Sequence, residues 1–557
     1  MEQMYEQEAG ADRRPVLVVG AGPVGLTAAA ELRRRGVPVR CVDRAQGPSP
    51  LSKALAVWPR TLEVLRRLGG GKRIETHGLP IESLRYHSNN REVARIRFDD
   101  RTRPVTLPQP DVEALLGECL SELGGEVEWG TELVALEQDA HGVTVELRTA
   151  DGTAVREEFS YVLGCDGASS TVRERLGIAF DGSTYAPLFA LADVRVEGPL
   201  VHDANYYFCG PKGVVVLVGL PGGRFRVFTA APAGTTREDI DLALIQRLLD
   251  DRGPGGLTLH DATWTTGFSV HARHAERTRV GRVFLAGDAA HIHSPAGGQG
   301  LNTGVQDAHN LAWKLALVHA GRAHETLLDS YADERGQVAR TVIRQADLQT
   351  RAWTPTKRWH VALRDTALRV ASALRLGDIA YVPGLAGLTY VYRQGAAVGP
   401  AGSVGGFTTG ALAPDRTVWD RRTTRRVPLR LALTDLRMTL LVAGPGDHAV
   451  PAAATALAAT LQQQYGDLVE TRYLDTTDAL LSDTAPRDAG LKRNDGRFAL
   501  ALVRPDGYVA VCGGGRGPEL VRDWLRTAFP AQGHRPAATA TAVTESDSES
   551  ELKEALL

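Results

Sequence analysis

The sequence predicts an α/β protein of several domains, and three observations predict it. A short apolar strand at 16–19 runs into a Gly-rich turn, an Ala-rich helix at 23–35 and a second strand at 37–42, the spacing of a βαβ unit. A second strand, Gly cluster and long helix follow between 283 and 320. The chain has 557 residues, and at about 150 residues per domain that length suggests three or four domains.

The elements follow in order. Residues 1–14 read as a frayed leader. After the βαβ unit, amphipathic helices fit 59–68 and 110–123. Alternating apolar residues give strands at 127–129, 133–138, 143–148 and 158–163. Residues 214–220 and 224–230 flank Pro221-Gly222-Gly223 and read as a hairpin, followed by a helix at 236–249. Residues 324–380 are mostly helical by pattern. A Gly/Thr/Ser stretch at 395–410 reads as a linker or boundary. Beyond it come strands at 438–443, 468–474, 498–503 and 508–511, with helices at 450–464 and 517–528. Residues 532–557 are rich in Ala, Thr, Ser and Glu, without an aromatic residue, and are expected to be disordered.

Composition excludes several classes. Lys plus Arg is 64 against 66 Asp plus Glu, a net charge of -2, which argues against a dedicated nucleic-acid binder. No stretch reads as a membrane span. The five cysteines, Cys41, Cys119, Cys165, Cys209 and Cys512, contain no CxxC. Neither a disulfide framework nor a zinc site is supported, and a cytoplasmic location is expected. Histidines 271, 274, 291 and 293 lack the spacing of a metal site, so none is expected.

The 59 glycines exceed an average share of about 7%, and they cluster. The first cluster is Gly20-Ala21-Gly22-Pro23-Val24-Gly25, between strand and helix, with Asp43 ending the next strand. Gly20 permits a tight turn, Gly22 lets a pyrophosphate approach the backbone, and Gly25 lets helix and sheet pack closely. The helix N-terminus favours phosphate, and Asp43 suits ribose hydroxyls. This pattern leaves NAD and FAD open. The second cluster runs Gly287-Asp288-Ala289-Ala290-His291, then Pro295-Ala296-Gly297-Gly298-Gln299-Gly300-Leu301-Asn302. A carboxylate at a strand end beside a helix N-terminus suits a polyol next to an anion. Asp288 would take ribityl hydroxyls, and the helix dipole would favour a reduced, anionic flavin. Between the two lies Cys165-Asp166-Gly167, again at a strand end.

All three motifs, in order and spacing, resemble the class A flavoprotein monooxygenases, the aromatic hydroxylases of the p-hydroxybenzoate hydroxylase and phenol hydroxylase type. The resemblance covers about residues 15–395. It implies FAD bound non-covalently across the three motifs, reduction by NAD(P)H, and an oxygen-derived flavin C4a-hydroperoxide that hydroxylates an aromatic small molecule. Gln109 matches a cofactor-contacting Gln, and Pro59-Arg60-Thr61-Leu62-Glu63 also looks like the family. The cofactor set is then Gly20, Gly22, Pro23, Gly25, Asp43, Arg44, Lys53, Gln109, Asp166, Gly167, Gly287, Asp288, Gly298, Gly300, Leu301 and Asn302. Pro295 and Gly297 would lie at the flavin's reacting edge. Two departures stand out. Lys53 replaces an Arg that usually sits near the flavin, keeping charge but losing the planar fork. Asp43 replaces the more usual Glu.

The C-terminal pattern, with Arg504-Pro505-Asp506-Gly507-Tyr508, resembles the thioredoxin-like domain of phenol hydroxylase and of polyketide-tailoring hydroxylases. Its redox position, near Gly444-Pro445-Gly446-Asp447, has no Cys, which excludes thiol chemistry. The expected fold is a Rossmann-like FAD-binding domain (12–79, 105–182, 273–395) interleaved with a β-sheet substrate domain (80–104, 183–272). A thioredoxin-like αβ domain (396–531) and the tail (532–557) follow. Substrate-lining candidates are Tyr185, Tyr206, Phe225 and Trp264, with Tyr207, Phe208 and Phe228 beside them. The expected reaction is hydroxylation of a polycyclic, polyketide-type aromatic by a monomer or homodimer, with O2 as co-substrate. Baeyer–Villiger insertion or oxidative ring rearrangement remains open, as does a flavin reductase or ligand-binding protein without oxygenation.

Overall fold

A computed structural model describes residues 14–529, apart from 211, 354–357, 394, 421–422, 449–451, 477–480 and 484–498. The expected tail, and all of the leader except Arg14, lie outside the described residues.

Valine-rich runs form the central sheet because strands covered on both faces need continuous apolar sequence. It has six strands, in the order Arg279–Val280, Val283–Leu285, Tyr161–Gly164, Val16–Val19, Val39–Asp43 and Val127–Trp129. Every pairing is parallel except the first. Val18 pairs with Leu163 on one side and Cys41 on the other. These parallel neighbours all end at one edge, so Gly20, Asp43, Asp166 and Asp288 gather there from distant parts of the sequence. Helix Pro23–Arg34 packs against the long helix Gly300–His319 within the apolar core below that edge.

The single strand expected at 158–163 is two strands. Ala154–Phe159 belongs to an antiparallel three-stranded sheet, and Tyr161–Gly164 belongs to the central one. Buried Ser160 marks the switch, where both its N–H and its hydroxyl donate to the Pro15 carbonyl. The helix expected from 236 starts at Leu242. Asp241 sets that start by accepting the Leu244 N–H, an N-cap.

An eight-stranded sheet stands beyond the edge, in the order His291–Ile292, Thr258–Ala275, Phe180–Glu197, Arg224–Ala230, Gly213–Leu220, Ala204–Gly210, Ser83–Ser88 and Arg91–Arg97. Two of its strands, Phe180–Glu197 and Thr258–Ala275, are 18 residues long. The helices Thr326–Trp353 and Arg358–Ala373 follow the Gly300 helix. The 395–410 stretch is packed rather than free. Phe407 there is buried, and the N–H groups of Gly399 and Gly410 donate to Ala510 and Val509.

The C-terminal sheet has seven strands. The four at one end run Val469–Thr476, Met438–His448, Ala499–Val503 and, at the edge, Val509–Gly513, with the first pair parallel and the rest antiparallel. Helices Ala452–Tyr465 and Gly517–Ala528 pack on it. A buried ionic cluster joins this unit to the rest. Arg504 donates to Glu334 at 2.6 and 2.9 Å and to Asp506 at 2.9 and 2.5 Å. Lys314 donates to Glu334 at 2.8 Å, and Asn310 to Asp506 at 3.1 Å. Arg60 reaches the Asp506 carbonyl and Glu63, and Arg430 also binds Glu63. The Pro59–Glu63 motif therefore faces the C-terminal unit.

All five cysteines are buried, and burial pushes the Cys41 and Cys209 thiols up to about 12. A thiol reagent should therefore label none of them in the native protein and all five after denaturation. Rapid native labelling would contradict the packing.

Candidate active site

The first turn is built by close approach. Gly20 has φ +103°, and a Cβ there would strike the Cys165 carbonyl. A Cβ on Gly25 would strike the Gly20 carbonyl. Gly22 is different, since a Cβ there would meet nothing within 4 Å. Its backbone is the open face of the turn. Helix Pro23–Arg34 starts with no side-chain cap and no acidic residue in its first turn, so its positive end is uncompensated. Asp43 accepts the Ala21 N–H at 2.7 Å and the Ala45 N–H at 2.8 Å. It shapes the turn as well as lining the cavity. Asp166 accepts from the Ser170 hydroxyl at 2.6 Å and the Val172 N–H at 3.1 Å. Arg173 then ties this turn to the next through the Ala289 carbonyl, 2.9 Å away.

At the third strand end Gly287 has φ +60°. Its N–H donates to Asp307, which also binds His291 at 2.7 Å and Arg335 at 2.6 Å. Burial alone would raise the Asp307 carboxyl, but His291 and Arg335 hold it below the ordinary range. This supporting group was not legible in the sequence, because its members come from three separate elements. Asp288 opens on the cavity, and its carboxylate has no hydrogen-bond partner among the described residues. Protein on its other sides raises its pKa by desolvation. A polyol there would supply the missing donors. Replacing Asp288 with Ala should raise the FAD dissociation constant about 10-fold or more while leaving the fold intact, as flavin fluorescence titration and circular dichroism would show.

Gly297 and Gly298 have φ +76° and +60°. The Gly297 carbonyl accepts from the Trp58 indole at 2.9 Å. Pro295, Gly297, Gly298, Gly300 and Leu301 line the cavity, as do Gly20, Gly22, Pro23, Arg44, Lys53, Gln109 and Gly167. Three expected cofactor residues do not. Gly25 and Gly287 act through packing. Asn302 is buried, with its amide committed to protein: Nδ2 donates to the Ala56 and Gly298 carbonyls, and Oδ1 accepts the Trp58 N–H. Asn302 fastens the loop instead of facing a ligand.

One cavity of about 1020 Å³ runs from these turns to the eight-stranded sheet. Trp264 lines it, and the Arg226 guanidinium lies 4.9 Å from its ring centroid. Arg226 is held by Asp193 through two bonds of 2.7 Å and donates to the Ser52 carbonyl beside Lys53. Three expected lining residues are elsewhere. Tyr206 and Phe225 point to the opposite face of the sheet, into a core with Phe208 under helix Leu242–Arg252. Their chain neighbours Tyr207 and Arg226 face the cavity, because strand side chains alternate and face parity decides the side. Tyr185 donates to Asp347 at 2.9 Å and does not line the cavity. Phe228 and Phe268 do line it.

A buried nitrogen of one lining residue, His293 Nε2, has no hydrogen-bond partner among the described residues. His293 Nδ1 donates to the Ser294 carbonyl, and burial holds its pKa down to about 4. The ring is neutral and Nε2 is a bare acceptor. Among the described residues no group of three or more His, Cys, Asp or Glu is placed to hold a metal ion.

A doubly wound sheet that gathers three Gly-rich turns at the mouth of an aromatic-lined chamber defines an FAD-dependent oxidoreductase. The chain belongs to the FAD binding domain family, which it matches over residues 13–346. It is 37% identical over 538 residues to 6-methylpretetramide 4-monooxygenase of Streptomyces rimosus, covering 90% of this chain and 91% of that protein. Among solved structures it is similar to the flavin-dependent monooxygenase PieE in complex with FAD and substrate, with TM-score 0.78, 28% identity and coverage of 93% and 99%. It is also similar to a ternary complex of aklavinone-11 hydroxylase with FAD and aklavinone, with TM-score 0.73, 28% identity and coverage of 92% and 98%. The chain is an FAD-dependent monooxygenase of the class A type, with NAD(P)H as reductant. Among the described residues no helix is long and apolar enough to cross a membrane.

Proposed function

We propose that this enzyme hydroxylates a polycyclic aromatic of polyketide type. The observation that carries the reading is the continuity of one cavity, about 1020 Å³ for cofactor and substrate together, from the three turns to a sheet wall lined by Tyr207, Phe228, Trp264 and Phe268. The relatives named for pretetramide and aklavinone chemistry support the same class.

Gly22 and the Pro23 helix would hold the pyrophosphate, Asp43 the ribose and Asp288 the ribityl chain. When bound, FAD supplies hydride acceptance from NAD(P)H and activation of O2. Pro295 and Gly297 would face the reacting edge with backbone alone, positioning the substrate and excluding water. Lys53 would place a positive charge beside the cofactor, on a loop that Arg226 holds through Ser52. Trp264, Tyr207 and Phe228 would give a flat substrate its apolar walls.

The domain division given above is proposed with the same boundaries, and the enzyme as a cytoplasmic monomer or homodimer. The C-terminal unit is proposed to be thioredoxin-like. Support comes from the order and directions of the four strands at one end of its sheet, with the first βαβ strand pair parallel and the last hairpin antiparallel. Without a cysteine at 444–447 its role would be structural.

The test is the purified protein with NAD(P)H, labelled O2 and a panel of polycyclic phenols. Bound flavin and one labelled oxygen atom in a ring product are expected. Peroxide in amounts matching the NAD(P)H consumed, with no labelled product, would overturn hydroxylation.

A further inference from the structure

Helix Arg358–Ala373 turns a largely polar side inward and its apolar side to solvent. It packs on the edge strand Arg91–Arg97 of the eight-stranded sheet. Val361 and Asp365 are buried there. Arg364 donates to the Ser88 hydroxyl at 3.1 Å and the Cys209 carbonyl at 3.3 Å, and the Ser372 hydroxyl accepts the Arg95 N–H at 3.1 Å. On the outside, Trp359, Leu363, Val370 and Leu374 are 62%, 64%, 52% and 61% exposed. The Leu374 N–H donates to the Val370 carbonyl, so the last turn carries on to it. These four recur at helical spacing and form one stripe along about four turns. The small exposed residues Thr366 and Ala367 lie at its middle. A surface helix ordinarily buries such a stripe. The cavity lining includes none of these residues.

The stripe is self-complementary. A twofold axis crossing the helix between Thr366 and Ala367 sets Trp359 opposite Leu374 of the partner subunit and Leu363 opposite Val370 of the partner subunit. Large side chains then meet at both ends, while small ones let the helices approach at the centre. The four exposed side chains leave on the order of 500 Å² of apolar surface in water, enough to mark an interaction face. Two copies would bury on the order of 1,000 Å² between them, the size at which an interface becomes specific. Leu376 and Ile379, 49% and 70% exposed just beyond the helix, add to the patch. A lipid surface fits less well. A helix lying on anionic lipid carries basic residues along a solvent-facing polar side. Here the polar side lies against the sheet, and Arg369 is the one exposed charge among the helix's described side chains.

We propose that this stripe is the twofold interface of a homodimer, in which the two Arg358–Ala373 helices pack antiparallel. The inference decides between the monomer and the homodimer and is independent of which reaction the cavity performs.

The test is sedimentation velocity of the FAD-loaded full chain over a range of concentrations. Wild type should be a dimer. Leu363→Lys and Val370→Glu, each alone, should raise the dimer dissociation constant at least about 100-fold, since each lesion occurs twice in a symmetric interface. Combining the two substitutions in one chain should regain much of the loss, because the new charges are opposite in sign and face each other across the axis. Unchanged flavin content reports that every variant is folded. A wild type that is monomeric at every concentration, a dimer that survives both single variants, or a double variant no tighter than the singles overturns the proposal. A monomer that co-sediments with phosphatidylglycerol vesicles, and loses them on Leu363→Lys, would give the stripe to a lipid surface and overturn it equally.

Discussion

Gly25→Val should leave the enzyme colourless. A Cβ at Gly25 points into the Gly20 carbonyl, and backbone cannot rotate away as a flexible side chain can. The turn must open, and the Gly22 backbone then moves from its place against the helix end. The expected result is loss of stoichiometric flavin, with an FAD dissociation constant raised at least about 100-fold. Gly22→Ala separates binding from folding. Its φ is -73°, which any residue adopts, and its Cβ position is empty. That variant should fold with an unchanged melting temperature in the absence of cofactor and still bind FAD poorly, because the methyl group occupies the pyrophosphate's approach. Normal flavin content in both variants would show that the first turn is not the cofactor cradle.

Arg504→Met should destabilise the protein by about 3–5 kcal/mol, the cost of leaving a buried ion pair with one partner. Glu334 and Asp506 are both fully enclosed and both bound to Arg504. Arg504→Met with Asp506→Asn should recover part of the loss, since Glu334 keeps Lys314 as its partner and no carboxylate is left without a cation. Denaturant midpoints of the two variants and wild type test this. An additive loss in the double variant would argue against the pairing.

The same cluster sets an acid limit. Burial alone would raise Asp506 and Glu63, but Arg504 holds the first at about 2, and Arg430 and Arg60 hold the second at about 2. Both lie below their unfolded values, so each stabilises the fold at pH above the unfolded value. That contribution is lost as pH falls from about 4.5 towards 2. The denaturant midpoint should drop across this window, and the drop should shrink in the Arg504→Met variant.

Several features were readable in the chain alone. Gly20, Gly287 and Gly297 stand where the backbone takes positive φ, a demand that local sequence expresses directly. Strand, turn and helix in immediate succession then identify the cofactor edge without any distant contact. The strand at 16–19 and the helix at 517–528 were legible for the same reason: apolar period and flanking Gly or Pro are local signals. The motif Pro59–Glu63 was visible, but its purpose was not. Arg60 meets its partner at residue 506, and no local pattern encodes that meeting.

The sequence by itself determined the three turns, their order and the absence of thiols at 444–447, because each is a property of a few consecutive residues. Only the tertiary structure decided which side chains face the cavity. Tyr206 and Tyr207 are equally aromatic, and sheet parity, fixed by pairing with Leu217 and Val216 across the strand, sends one to the core and the other to the cavity. It also decided the supporting groups: Asp307 with Arg335, Arg226 with Ser52, and Gln349 beside Gly297. Those contacts join residues far apart in the chain, and packing alone brings them together.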